Sequence, residues 1–206
     1  MAAEIAARLR DQILSGGYPV GEPLNEVEIA RSMGVSRVPL REALHRLEGE
    51  RIVTIRPNRG AEVTRLTGHE LQEIAEGCRM LEGHCLRLSA PNLGLEALAR
   101  TVEVLDELDR IDDPLLWSRK NWEFHAALYS AAQRPLLLEL IGSLRARGEI
   151  AMLRLVAERS RRASLNQEHR RLVEHLRERR HEQAFELLDA HLQGGKEKAL
   201  PLIEVR

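Results

Sequence analysis

Residues 25–64 read NEVEIARSMGVSRVPLREALHRLEGERIVTIRPNRGAEVT, and the punctuation inside this stretch decides the fold. Asn25 stands where a helix N-cap belongs, with Glu28 three residues on as the Asn form of a capping box. Val27, Ala30 and Met33 then share one side. Gly34 admits the left-handed conformation that ends a helix in a tight turn, and Ser36 caps a second helix whose first turn tolerates Pro39. In that second helix Leu40, Ala43, Leu44 and Leu47 recur at i, i+3, i+4 and i+7, which fixes the buried face. Arg37 and Arg41 fall one turn apart on the exposed flank.

Helix, glycine turn and second helix form the pattern of a helix-turn-helix. Beyond it, Ile52 to Arg56 and Ala61 to Thr64 are β-branched runs around Pro57-Asn58-Arg59-Gly60, hence a hairpin. Arg59 beside Gly60 at its tip suits a wing, because a small residue allows close approach and an arginine can enter a narrow minor groove. The second helix offers its N-terminal half to a major groove, where the guanidinium fork of Arg37 or Arg41 matches guanine edges or phosphates. From Arg31 to Arg65 there are eight Arg and four acids, a local net of +4 in a chain of net charge -1. The basic excess lies where nucleic acid would dock. The competing reading is a winged-helix adaptor that binds protein and leaves these arginines solvated.

The run LNEVEIARSMGVSRVPLREALHRLEGERIVTIRPNRGAEV resembles the N-terminal domain of the GntR superfamily of bacterial transcription regulators, a likeness covering about the first 65 residues. The resemblance implies that Ser36, Arg37, Arg41 and the Asn58-Arg59-Gly60 tip contact double-stranded operator DNA. Two positions depart from the family pattern. Val27 stands where many members carry Arg, and Arg51 stands where Gly is usual, just before the wing.

At 206 residues with 43% apolar side chains, the chain can bury one large core or two modest ones. Aromatics at 3% and charges at 31% suit a helical protein better than a β-sandwich. Cys78 and Cys85, seven apart on one expected helix, are separated by a rise of about 10 Å, too far for a disulfide. They read as small core residues of a cytoplasmic protein. No apolar segment follows a basic start, and no stretch reaches membrane-spanning length, so neither secretion nor a membrane anchor is expected.

A short helix is expected over residues 4–15 and a domain boundary at Arg65 to Gly68. The spacing thus divides the chain into a winged helix-turn-helix, 1–66, and an all-α antiparallel bundle, 67–206. Helices are expected over 68–89, 93–110, 114–132, 135–157, 163–179 and 181–199, with breaks at Pro91, Asp112-Asp113-Pro114 and Pro135. The run from Arg159 to Arg180 is interleaved with Glu158, Glu168, Glu174 and Glu178, which reads as a solvated face.

Three of these helices each place one histidine on the inward line: His125 with Asn121, Leu128 and Ala132; His169 with Leu172, Val173 and Leu176; His191 with Ala184, Leu187 and Leu188. His175 and His181 fall off these lines or at a helix end. Three imidazoles in one core read either as separately hydrogen-bonded residues or as ligands sharing a divalent ion such as Zn or Ni. Arg79, beside the inward line of the 68–89 helix, reads either as a bidentate partner for a carboxylate ligand or as an ion pair with Glu82 or another acid.

The region from Thr67 onward resembles the helical effector domain called FCD, in its shorter, six-helix, vanillate-regulator-like branch. The resemblance implies a metal site at Asn121, His125, His169 and His191, and it places Arg79, within Arg79-Met80-Leu81-Glu82, near an effector pocket. It also implies a homodimer and a small carboxylate effector. Asn121 replaces the aspartate of the family's D-x-x-x-H pair, so a neutral amide oxygen stands where a negative one is usual. Three histidines with an open position also describe a metallohydrolase, but no H-E-x-x-H and no nucleophile elbow is present. The function expected is a ligand-responsive DNA-binding repressor, not an enzyme.

Overall fold

The N-terminal pattern is realised in a computed structural model that describes residues 1–57 and 59–203. Helix α1 (Ala2–Leu14) is followed by β1 (Pro23–Leu24), α2 (Glu26–Met33), α3 (Arg37–Gly49) and the hairpin β2 (Val53–Arg56) and β3 (Gly60–Val63). Asn25 caps α2 by accepting from the N–H groups of Val27 and Glu28 at 3.1 and 3.3 Å. The Glu28 arm of the expected capping box is not made among the described residues. Val27 is also half exposed, and Ile29, Ala30 and Met33 take the inner face. In the first turn of this eight-residue helix it is Glu26 that faces α3, through Arg37 and Arg41, so the buried apolar line begins after Val27.

Gly34 closes α2 in the left-handed conformation (φ 67°, ψ 32°), a geometry with no penalty for glycine. Leu40, Ala43, Leu44 and Leu47 are all buried and α3 packs them on α1, which supplies Ile5, Leu9 and Ile13. The sheet has the order β1-β3-β2, antiparallel throughout, with Pro23 opposite Glu62 and Leu24 opposite Ala61. Strand β1 is two residues long, too short to leave a periodic trace in the sequence.

Thr67 opens the bundle with a complete capping box: its hydroxyl accepts from the Glu70 N–H at 3.1 Å while Glu70 accepts from the Thr67 N–H at 2.8 Å. The helices are α4 (Gly68–Ser89), α5 (Leu95–Leu108), α6 (Pro114–Leu128), α7 (Pro135–Arg147), α8 (Glu149–Leu155), α9 (Arg159–Arg177) and α10 (His181–Ile203). Helix α4 packs on α7 and α10, and α5 packs on α6 and α9. The single helix expected over 135–157 is two, broken at Gly148. There the backbone leaves helical geometry (φ -86°, ψ 3°) and lets α8 turn across the bundle to meet α10 and α1.

Arg162 corrects the reading of 159–180 as wholly solvated: it is buried and donates to the carbonyls of Val156 and Ala157. Cys78 and Cys85 are free and buried. Among the described residues no helix is long and apolar enough to cross a membrane.

Candidate functional site

Two regions hold most of the candidate site residues. In the first, Arg37 and Arg41 project from the start of α3 with side chains 58% and 61% exposed, the exposure a groove-reading helix requires. Neither is loose. The carboxylate of Glu26, on α2, accepts from Arg41 Nε at 2.9 Å and from Arg37 Nη2 at 3.4 Å, so one acid sets the attitude of both guanidinium groups. Ser36 occupies the N-cap position of α3, but its side chain makes no capping hydrogen bond. Arg59 and Gly60 are exposed at the hairpin tip, Gly60 at φ 78°. Asn58 lies outside the described residues.

The second region is internal. His125 from α6, His169 from α9 and His191 from α10 offer ligand nitrogens that all lie within 4.8 Å of one another. His169 Nε2 stands 3.2 Å from His191 Nε2. Burial first, then the charge of Arg145 and the neighbouring imidazoles, hold His125 well below the ordinary histidine range. Burial, His191 and Arg145 do the same for His169. Both imidazoles are therefore neutral at pH 7, the form that ligates metals.

The donor set fits a metal ion. His125 Nε2, His169 Nδ1 and Asn121 Oδ1 are buried without a hydrogen-bond partner among the described residues, a costly arrangement for a core that only packs. Two of the imidazoles also have the outer partners that metal-binding histidines use to fix their tautomer. Glu168 meets His191 Nδ1 at 2.6 Å, and the Tyr129 hydroxyl meets His125 Nδ1 at 3.3 Å. Asn121, one turn before His125, is buried and shares the cavity wall with His191. His125, His169 and His191 are the residues that would hold the ion, with Asn121 on the adjoining cavity wall.

Next to the cluster is a cavity of about 130 Å³. Most of its wall is apolar, including Leu71, Ile74, Trp122, Met152, Leu155 and Leu165; its polar groups include Asn121, His191, Glu82 and Arg145. This size and lining match an aromatic ring or a short aliphatic chain.

Arg79 is not on this wall. It lines a separate surface groove, and its guanidinium pairs with both oxygens of Asp189 at 2.7 and 2.8 Å, the ion-pair alternative with an acid other than Glu82. The guanidinium at the cavity is that of Arg145, at the end of α7. Cations are ordinary in the last turn of a helix, so nothing in the sequence marked it. Glu168, the partner of His191, was also hidden, because adjacent positions on a helix diverge by about 100°.

A winged helix-turn-helix joined to a helical bundle with a three-imidazole cluster beside an apolar cavity defines a class: DNA-binding modules coupled to a small-molecule pocket. The family model described as bacterial regulatory proteins, gntR family, matches residues 1–63, and the FCD domain model matches residues 73–194. The chain is 30% identical over 185 residues to the Nta operon transcriptional regulator of Aminobacter aminovorans, covering 89% of this chain and 87% of that one. An HTH-type transcriptional regulator of Bacillus subtilis is 37% identical over 67 residues, 32% of this chain and 30% of its own length. Three such HTH-type relatives are matched over 30%, 40% and 33% of their lengths. A GntR-family structure from Pseudomonas syringae pv. tomato superposes with a TM-score of 0.58 at 27% identity, covering 98% of this chain and 86% of that one. The chain belongs to the GntR family of regulatory proteins and carries an FCD domain. Members of this family are transcriptional regulators, not enzymes.

Proposed function

We propose that this chain is a ligand-responsive repressor, acting in the cytoplasm as a homodimer. Residues 1–66 read a near-palindromic operator, and residues 67–206 sense a small organic acid through a divalent ion, Zn or Ni, on His125, His169 and His191 with Asn121. The observation that carries the reading is the convergence of three imidazole ligands beside a mostly apolar cavity. When bound, the ion supplies an open coordination position for a carboxylate oxygen. The apolar wall excludes water around the acid's body, and the Arg145 guanidinium faces its charge. Ligand binding shifts the placement of the winged helices to the extent that it favours one arrangement over the other.

Native mass spectrometry of the purified protein, set against its denatured mass, tests this directly. The expected species is a dimer with about one metal ion per protomer. A protein that stays metal-free after incubation with Zn or Ni overturns the metal reading. Binding to a duplex selected from a randomised pool, with affinity falling steeply as salt rises, distinguishes an operator-reading protein from a winged-helix adaptor.

A further inference from the structure

Glu82, on α4, is fully buried and carries three hydrogen bonds. It accepts from Arg145 Nε at 3.0 Å and Nη2 at 2.7 Å, and from the Tyr129 hydroxyl at 2.7 Å. The Tyr129 oxygen in turn lies 3.3 Å from His125 Nδ1. Arg145, Glu82, Tyr129 and His125 therefore form one unbroken chain. It runs from the cavity wall, where Arg145 and Glu82 are lining groups, to the imidazole cluster.

The direction of each bond in this chain follows from proton counting. A tyrosine hydroxyl has one proton, and the shorter contact commits it to Glu82. What the oxygen then presents to His125 is a lone pair, so the proton on the imidazole must sit at Nδ1. That leaves Nε2 as a bare lone pair, and Nε2 is the atom that is buried with no partner among the described residues.

We propose that Tyr129 and Glu82 are positioning residues with two linked effects: they hold His125 in the Nδ1–H tautomer with Nε2 ready for a metal ion, and they couple that site to an anion at Arg145. This rests on the reading of the imidazole cluster as a metal site. Arg145 gives its Nε and Nη2 protons to Glu82. A carboxylate in the cavity competes for that fork, and Glu82 then leans more on the Tyr129 proton. Tyr129 becomes a better acceptor for His125 Nδ1–H, and His125 becomes a stronger ligand at Nε2. By linkage the same chain works in reverse, so metal and anion each tighten the other by one common factor.

The test uses the full-length protein, Zn²⁺ alone as the metal probe and benzoate, an anion of cavity size, as the carboxylate probe. Tyr129→Phe keeps the ring and the Glu82–Arg145 pair but removes the hydroxyl. The expected result by chelator competition is a 10- to 100-fold loss of Zn²⁺ affinity. Benzoate should tighten Zn²⁺ binding in the wild type and have almost no effect on it in the variant. Unchanged Zn²⁺ affinity in Tyr129→Phe, or no effect of benzoate in the wild type, overturns the proposal. A second readout needs no metal: ¹⁵N shifts of the histidine rings should show His125 as the Nδ1–H tautomer in wild type and a mixture in Tyr129→Phe. An Nε2–H tautomer in wild type overturns the relay, whereas the Nδ1–H tautomer in a protein that refuses Zn²⁺ sinks only the metal-site reading.

Discussion

Arg154, on α8, donates from Nη2 to the carbonyl oxygen of Tyr18 at 3.2 Å, across the junction between the helical bundle and the N-terminal unit. The same nitrogen reaches the Ile13 carbonyl at 3.3 Å, and Nη1 reaches Leu202 at the end of α10 at 2.8 Å. Helix α8 presents Ala151, Met152 and Leu155 to the cavity. One short helix thus touches the cavity on one face and the loop after α1 on the other.

Replacing Arg154 by Leu removes this fork but keeps much of its bulk. Hydrogen bonds to charged groups are worth about 1.5–3 kcal/mol each, and burial of the guanidinium, which lowers its pKa, offsets part of that. The variant is expected to lose stability by about 2 kcal/mol and to bind operator without responding to ligand. Chemical denaturation and operator titrations with and without ligand check both; a full ligand response in Arg154→Leu would show that the signal takes another route.

Arg41→Ala removes an exposed side chain held by Glu26. If Arg41 reads a base edge, the loss is about 1–3 kcal/mol at the operator, a 5- to 150-fold weakening by fluorescence anisotropy. Metal content and melting temperature should not move, because the side chain packs against little. A parallel loss of metal would point to a folding defect instead.

Arg51 carries strain that the sequence comparison with its family already hinted at. Its backbone sits at φ 58°, in the region where a Cβ costs roughly 1–2 kcal/mol, between the end of α3 and the wing. Arg51→Gly should raise stability by up to about 1 kcal/mol once the extra unfolded-state freedom of glycine is counted. A lower denaturation midpoint in the variant would mean that the Arg51 side chain contributes more than its backbone costs.

How far the sequence carries depends on whether a feature repeats. The α3 stripe of Leu40, Ala43, Leu44 and Leu47, the α4 limits at Gly68 and Ser89 and the three inward histidines all follow from helical spacing over several turns, and each was legible. The α7–α8 break was not, because a lone Gly148 between two apolar stretches is compatible with a continuous helix. Glu82 and Arg145 lie on two helices and Tyr129 directly follows a third, and no single-helix pattern fixes the mutual rotation of the three. Arg79 shows the same gap: its place on α4 was readable, but whether Asp189 or the cavity lay opposite depended on how α10 packs.

Asn121→Asp probes what the amide contributes. Asn121 Oδ1 is buried without a partner among the described residues, one turn before His125, so in the proposed site three histidines and an amide leave the double charge of a divalent ion unbalanced. A carboxylate at the same place adds a hard, negative ligand. The variant is expected to hold metal about 10-fold or more tightly in the absence of any organic acid, by analogy with the size of single-ligand and outer-partner effects. It should also lose part of its dependence on the acid, since the negative charge that the ligand would bring is already present. Without metal the aspartate would sit uncompensated in a desolvated wall, so apo Asn121→Asp should melt below apo wild type and recover on adding Zn²⁺. Chelator competition and melting curves with and without metal read these effects together. Equal or weaker metal retention in the variant would show that Asn121 faces away from the ion and that the three histidines bind it without help from α6 beyond His125.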